Sequence, residues 1–155
     1  MTAPPYNPAA HGAAAGSEGE RSWAETLARA EAAVAELAAN YAEVALKDIA
    51  DAQAALDAAK AKPEQRQDHI QHLYGIAHNV KGQGGSFGYP LVTRIGQSLC
   101  QLIKQSAAIR DADLPIIQAH LDALRLILER QVKGDGSETA NKLAARLETL
   151  VGRDS

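Results

Sequence analysis

Apolar residues recur at three- and four-residue spacing through most of this chain, which is the pattern of amphipathic helices. The Ser22-x-x-Glu25 capping box predicts a helix start, and we expect this first helical run to reach about Lys62, divided into two helices at Asn40. Its apolar positions are Trp23, Leu27, Ala30, Val34, Leu37, Tyr41, Val44, Ala45, Ile49, Ala52 and Leu56. These positions form one apolar stripe along the run.

Further amphipathic helices are expected to begin near Pro63, Leu91, Asp113 and Ser137, the first of them ending near Phe87. No segment shows the alternation expected of a β-strand. Five or six helices with short connections predict an all-α fold, an antiparallel four-helix bundle with additional N- and C-terminal helices. Residues 1–21 hold three of the six prolines and no periodicity, so they predict a disordered tail before a bundle domain at 22–152.

Composition and charge narrow the functional classes. Alanine makes up about a fifth of the 155 residues, which favours helices over strands. The 16 basic against 19 acidic side chains give a net charge of −3, so a nucleic-acid partner is not expected. The single cysteine excludes an internal disulfide, and no apolar run is long enough to cross a membrane. We therefore expect a cytoplasmic monomer that binds neither nucleic acid nor membrane.

Four of the twelve glycines fall within seven positions, 82–88, just after His78. At 100° per residue, His78 points about 140° away from the core face of its helix, and Gln71, Gly82 and Gly85 lie within about 40° of it. Lys81 lies about 60° to one side. The expected core face consists of Ile70, Leu73, Ala77, Val80, Gly84 and Phe87.

Glycine inside a helix costs about 0.5–1 kcal/mol relative to alanine, so this cluster needs an explanation. Close helix packing accounts for Gly84, which faces the core. Gly82 and Gly85 face outward, and there the absence of side chains leaves room for another molecule to approach His78. A neutral imidazole is a nucleophile, and the Lys81 ammonium one turn away can balance the charge of a phosphoryl group.

His78, Lys81, Gly82 and Gly88 match the H-x-x-K-G-x-x-x-x-x-G pattern of histidine-containing phosphotransfer (HPt) domains, and the chain resembles that family over about residues 40–133. The resemblance implies a phosphoryl carrier in a two-component phosphorelay, without autokinase activity. His78 would accept the group from a receiver-domain aspartyl phosphate and return it to a receiver aspartate. The implied partners are receiver domains of a hybrid histidine kinase and of a response regulator. No cofactor is expected, because Mg²⁺ would be supplied by the receiver.

One position departs from the family pattern. Many members carry Gln or Glu 22 residues after the histidine, where the side chain touches the imidazole, and here that residue is Cys100. Gln97 and Gln101 flank it and are candidates for the same contact. A second hypothesis is a non-catalytic module that sequesters a receiver with a silent His78, and a third is a plain structural bundle.

The remaining candidates have simpler interpretations. Tyr89 either rims the partner surface or packs at the helix turn. His69 and His72 are three residues apart, a spacing that can chelate a metal, but no carboxylate or thiol is placed with them, so no metal site is expected. His120 is expected at the boundary of its helix's apolar stripe.

Overall fold

The computed structural model describes residues 13–134 and 136–153, and among them no residue lies in a strand. The fold is an all-α helical bundle. The described part of the chain has five α-helices, α1 (Ala13–Ala61), α2 (Arg66–Gly84), α3 (Pro90–Gln105), α4 (Leu114–Glu129) and α5 (Glu138–Arg153). The starts of α2 to α5 agree with the predicted ones to within three residues.

Two sequence-based predictions for α1 are wrong. The helix begins at Ala13 rather than at Ser22, and it continues through Asn40 without a break. Alanine, glutamate and arginine dominate residues 13–21, and their high helix propensity outweighs Gly16 and Gly19. Residues 1–12 of the predicted tail lie outside the described residues.

The chain divides into two compact units, Met1–Leu37 and Ala38–Ser155, and α1 contributes to both. In the first unit every residue from 18 to 37 is exposed to solvent, including Trp23, Leu27, Val34 and Leu37. The apolar stripe of α1 is therefore exposed to solvent in this part. Spacing alone does not distinguish a stripe that packs from one that has no neighbour.

The second unit contains the hydrophobic core. Between Tyr41 and Ala59, α1 carries both exposed and buried residues, and the buried ones form one cluster with side chains of α2 to α5. Tyr41 links α1 to the end of α2, because its hydroxyl donates to the Val80 carbonyl at 3.1 Å and its ring stacks on Phe87 at 4.9 Å. Burial raises the pKa of the Tyr41 phenol to about 12.

Helices α2 and α3 run antiparallel, and their contacts set the register of the site. The end of α2 meets the start of α3, where a Cβ at Gly84 would lie 2.9 Å from Thr93 Oγ1. Farther along, Lys81 lies against Gly96. The turn between the helices is closed by Gly88 at φ 87°, a left-handed conformation that glycine adopts without strain.

Helices α4 and α5 pack on the other faces of α3. The Arg94 guanidinium of α3 binds Glu148 of α5 through two hydrogen bonds, of 3.1 and 2.6 Å, which lower the pKa of the Glu148 carboxyl. His120 of α4 hydrogen-bonds Ser98 of α3 at 2.9 Å and is fully buried. The boundary position predicted for His120 is wrong, because its two ring nitrogens find partners that let the imidazole enter the core.

Candidate functional site

His78 lies in the middle of α2 with its side chain exposed. The core face predicted for this helix is confirmed: Ile70, Leu73, Ala77, Val80 and Gly84 are buried. Phe87 is half-buried and packs against the same core. The period of an α-helix therefore places His78 on the solvent side.

An open cleft of about 360 Å³ lies beside His78, between α2 and α3. Its lining is polar and contains two lysines and no carboxylate. The lining residues are Tyr74, His78 and Lys81 of α2 and Gln97, Cys100, Gln101, Lys104 and Gln105 of α3. The antiparallel register thus brings together His78, Lys81, Gln97, Cys100 and Gln101, five residues singled out in the sequence.

Lys81 is half-buried, and its stem and its ammonium are both held. A Cβ at Gly96 would lie 2.8 Å from Lys81 Cβ, so glycine at this position of α3 allows the two helices to approach at Lys81. Lys81 Nζ donates a 3.0 Å hydrogen bond to Gln97 Oε1. Gln97 therefore contacts Lys81, and the Gln97 amide orients the Lys81 ammonium in the cleft.

Cys100 lies 22 residues after His78, and its side chain is buried against the floor of the cleft. Burial raises the pKa of the Cys100 thiol, whereas the positive charges of Lys81 and Lys104 lower it. Burial is the stronger effect, so the thiol is neutral at pH 7. Gln101 is exposed and lines the same cleft.

The outward face of α2 carries few side chains around His78. A Cβ at Gly82 would meet no atom within 4 Å, and one at Gly85 would touch only Thr93 Oγ1 at 3.6 Å. Gly75, one turn before His78, also faces open space. We call the exposed residues Gln71, Gly75, His78, Gly82 and Gly85 the glycine face. A shallow groove of about 550 Å³ runs along its Gln71–Gly75 part to His78.

Tyr89 is not part of this exposed surface. It is fully buried, and its ring packs 5.7 Å from that of Tyr41. The prediction that Tyr89 forms part of the docking surface is therefore wrong, and its alternative, packing at the helix turn, is correct. Pro90 begins α3 immediately after it, and the Tyr89 ring lies in the core.

Sequence reasoning missed three side chains of the cleft, Tyr74, Lys104 and Gln105. Lys104 lies two turns after Gln97 on α3, and Tyr74 lies one turn before His78, with ring centroids 6.1 Å apart. The signal for Lys104 is the spacing of the polar residues 97, 101 and 104 on α3, which places them on one exposed face of the helix. Its position opposite His78 follows only from the register of the two helices.

Among the described residues, no three His, Cys, Asp or Glu side chains are close enough to hold a metal ion. His69 is half-buried, and His72 is exposed on α2. Within the same part of the chain, no helix combines the length and the apolar character that a membrane crossing requires.

Comparison with known proteins agrees with this geometry. No curated protein and no solved structure matches the chain significantly. A model of the Hpt domain family matches residues 21–133, a span that includes α2, α3, α4 and the whole cleft. The chain therefore belongs to the histidine phosphotransfer (Hpt) domain family.

Proposed function

We propose that this protein carries phosphoryl groups between receiver domains in a multistep phosphorelay, through phosphorylation of His78. Hpt domains are phosphotransfer carriers rather than kinases. The observation that carries the proposal is an exposed imidazole in a cleft that contributes two ammonium groups and no carboxylate.

The chemistry needs only His78 as nucleophile. A neutral ring nitrogen attacks the phosphorus of a receiver aspartyl phosphate. The phosphorus–nitrogen bond forms as the phosphorus–oxygen bond breaks, the aspartate carboxylate leaves, and the ring proton stays on the other nitrogen. Transfer to the next receiver is the reverse of this step, so no water is consumed.

Lys81 and Lys104 support the transfer by charge. The phosphoryl group brings negative charge into the cleft, and phosphoryl transfer is accelerated mainly by positioning and charge neutralisation. The absence of a carboxylate among the lining residues leaves no side chain there to activate water, which favours passing the group on over hydrolysis. Mg²⁺ for the reaction would be supplied by the receiver.

The glycine face is the surface on which the receiver would dock. The receiver aspartate lies on a folded domain, so the two proteins must approach closely enough for in-line attack on His78. Gly75, Gly82 and Gly85 leave this approach open on both sides of the imidazole. The expected partners are a receiver of a hybrid histidine kinase and a receiver of a response regulator.

A two-step relay assay tests the function. The protein is incubated with a receiver carrying labelled phosphate, isolated, and then mixed with a second receiver. We expect acid-labile label on this protein that moves to the second receiver. His78→Gln abolishes both steps, whereas His72→Gln, a matched change at an exposed histidine of the same helix, leaves them intact. Equal labelling of the His78→Gln variant would exclude the proposal.

A non-catalytic receiver-binding module is the second candidate, and the neutral thiol of Cys100 in place of the usual amide or carboxylate favours it. The two candidates differ in the same assay. Receiver binding that survives His78→Ala, combined with no transfer by the wild-type protein, would support sequestration over relay.

A further inference from the structure

Three residues of α3 hold Lys81 at its backbone and at the end of its side chain. A Cβ at Gly96 would lie 2.8 Å from Lys81 Cβ and 3.3 Å from Lys81 Cα, so the base of the lysine lies directly against α3. Thr93 Oγ1 donates a 3.0 Å hydrogen bond to the Lys81 carbonyl. Gln97 Oε1 accepts a 3.0 Å hydrogen bond from Lys81 Nζ. Positions 93, 96 and 97 share one face of α3, and this face fixes both ends of the lysine.

The attachment at both ends matters because a lysine ammonium stands at the end of a flexible chain of four carbons. An ammonium without a partner has to be ordered in every transfer step, and the conformational freedom of its chain is lost at that moment. In this protein the Gln97 amide orders the ammonium before a phosphoryl group arrives. The cost of ordering Lys81 therefore falls on folding rather than on the transfer step.

The amide of Gln97 is a neutral acceptor, so it holds the Lys81 ammonium without cancelling its charge. An ammonium has three N–H donors, and Gln97 takes one of them, which leaves two for phosphoryl oxygens. A carboxylate at position 97 would also hold the ammonium, but it would place a negative charge where the phosphoryl group enters. Glutamine combines the attachment with an undiminished positive charge.

The register of the two helices separates Gln97 from the imidazole. Lys81 lies opposite Gly96 and Gln97, and His78 lies one turn away from Lys81 on α2. Gln97 also lines the cleft rather than the glycine face. A contribution of Gln97 to phosphotransfer therefore passes through Lys81 and concerns the transfer step, not the docking of the receiver.

We propose that Gln97 is a positioning residue of phosphotransfer, which accelerates the transfer step by fixing the Lys81 ammonium. This inference rests on the proposed function of His78. It predicts that the effect of Gln97 depends on the presence of the lysine, and that it changes the rate of transfer without changing the affinity for the receiver.

A double-mutant cycle tests the proposal with four proteins: wild type, Gln97→Leu, Lys81→Met and the double variant. Single-turnover transfer from a labelled receiver, measured over a range of receiver concentrations, gives the saturating rate and the half-saturating concentration. Gln97→Leu is expected to lower the saturating rate about three- to tenfold, the cost of ordering one long side chain. The half-saturating concentration is expected to stay within about twofold, since Gln97 lies outside the glycine face. In the Lys81→Met background, Gln97→Leu is expected to have no further effect.

Variants of Gln67, an exposed glutamine in the first turn of α2, provide matched controls outside the cleft. Gln67→Leu and Gln67→Glu are expected to transfer like wild type. Gln97→Glu is expected to be slower than Gln97→Leu, because its carboxylate opposes the incoming phosphoryl group, and Gln67→Glu matches its net charge. Position 97 is exposed, so both of its variants are expected to fold, and circular dichroism checks this.

Three results would overturn the proposal while leaving phosphotransfer by His78 intact. They are a wild-type rate in Gln97→Leu, an equal slowing by Gln97→Leu with and without Lys81, and a loss confined to the half-saturating concentration. A wild-type protein that acquires no label would instead reject phosphotransfer at His78, and the role of Gln97 with it.

Discussion

Lys81 and Lys104 reach the cleft beside His78 from different helices and contribute differently. Lys81 is half-buried and bonded to Gln97, so its ammonium is fixed near the imidazole before a phosphoryl group arrives. Lys104 is exposed, and water screens its charge. A charge held by a hydrogen bond interacts more strongly with a phosphoryl group than a mobile one.

We expect Lys81→Gln to slow phosphotransfer by about 10- to 100-fold, the value of one charge-assisted hydrogen bond. Lys104→Gln is expected to slow it by only about two- to fivefold, as for an exposed ion pair. Single-turnover transfer from a phosphorylated receiver measures both. Lys47→Gln, at an exposed lysine that does not line the cleft, controls for the change in net charge. An equal loss for Lys104 and Lys47 would remove Lys104 from the site.

Gly82 faces open solvent beside His78, so a larger side chain there can fold but obstructs docking. We expect Gly82→Leu to weaken receiver binding at least about tenfold, or 1.4 kcal/mol. The neighbouring variant Gln83→Leu points about 140° away from His78 and serves as a matched control. Fluorescence titration with a labelled receiver measures both affinities. Unchanged binding by Gly82→Leu would place the docking surface elsewhere.

For single residues, the sequence predicts the features that follow from the periodicity of one helix. The exposure of His78 and the open space at Gly82 follow from the wheel of a single helix. Lys104 and Tyr89 do not, because their surroundings depend on neighbouring helices. The register of α2 on α3 brings Lys104 to the cleft, and the turn after Gly88 directs Tyr89 into the core.

Two glycines allow α2 and α3 to approach closely along the site. Gly84 lies against Thr93 and the Tyr89 carbonyl, and Gly96 lies against the backbone and Cβ of Lys81. The contact of Gly96 with Lys81 matters for the site, because it holds this lysine in place in the cleft. Gly82 has no such neighbour.

Alanine substitutions distinguish these glycines by the sign of the change in the free energy of unfolding. Gly84→Ala and Gly96→Ala are expected to lower the free energy of unfolding by about 1–3 kcal/mol, because a Cβ would crowd atoms 2.8–3.1 Å away. Gly82→Ala is expected to raise it by about 0.5–1 kcal/mol, because it adds helix propensity in open space. Urea denaturation measures all three. Destabilisation by Gly82→Ala would contradict its outward placement.

Element boundaries were predictable where a residue type forces them. Pro90, Pro115 and the Ser137 cap mark the starts of helices, and Ser137 Oγ does accept a hydrogen bond from the Ala140 backbone N–H at 3.1 Å. Asn40 does not force a helix to end, because its helix propensity is only slightly unfavourable, and α1 continues through it. The exposed stripe of α1 was likewise beyond prediction, because its spacing is as regular as that of a buried one.

At the scale of the whole molecule, His120 is a fully buried core residue whose charging opposes folding. His120 Nδ1 donates to the Ile116 carbonyl at 2.7 Å, and Nε2 accepts from the Ser98 hydroxyl at 2.9 Å. This arrangement requires the neutral ring. Burial lowers the pKa of His120 below its usual value of 6.5. The unfolded chain therefore binds a proton more readily than the folded one.

The free energy of unfolding should accordingly fall as the pH drops below about 6.5, and the contribution of His120 is complete above that value. His120→Gln is expected to be less stable at pH 7.5 but to lose less stability between pH 7 and pH 5. Urea denaturation at both ends of this range gives the two differences. An identical pH dependence in the variant would show that another group is responsible.

Phosphorylation of His78 is the central claim for the molecule, and phosphorus NMR after incubation with a phosphorylated receiver tests it most directly. We expect a phosphoramidate resonance on this protein that is absent in His78→Gln, retained in His72→Gln, and lost when an unphosphorylated receiver is added. A phosphoramidate signal that persists in His78→Gln, or a wild-type protein that never acquires one, would contradict it.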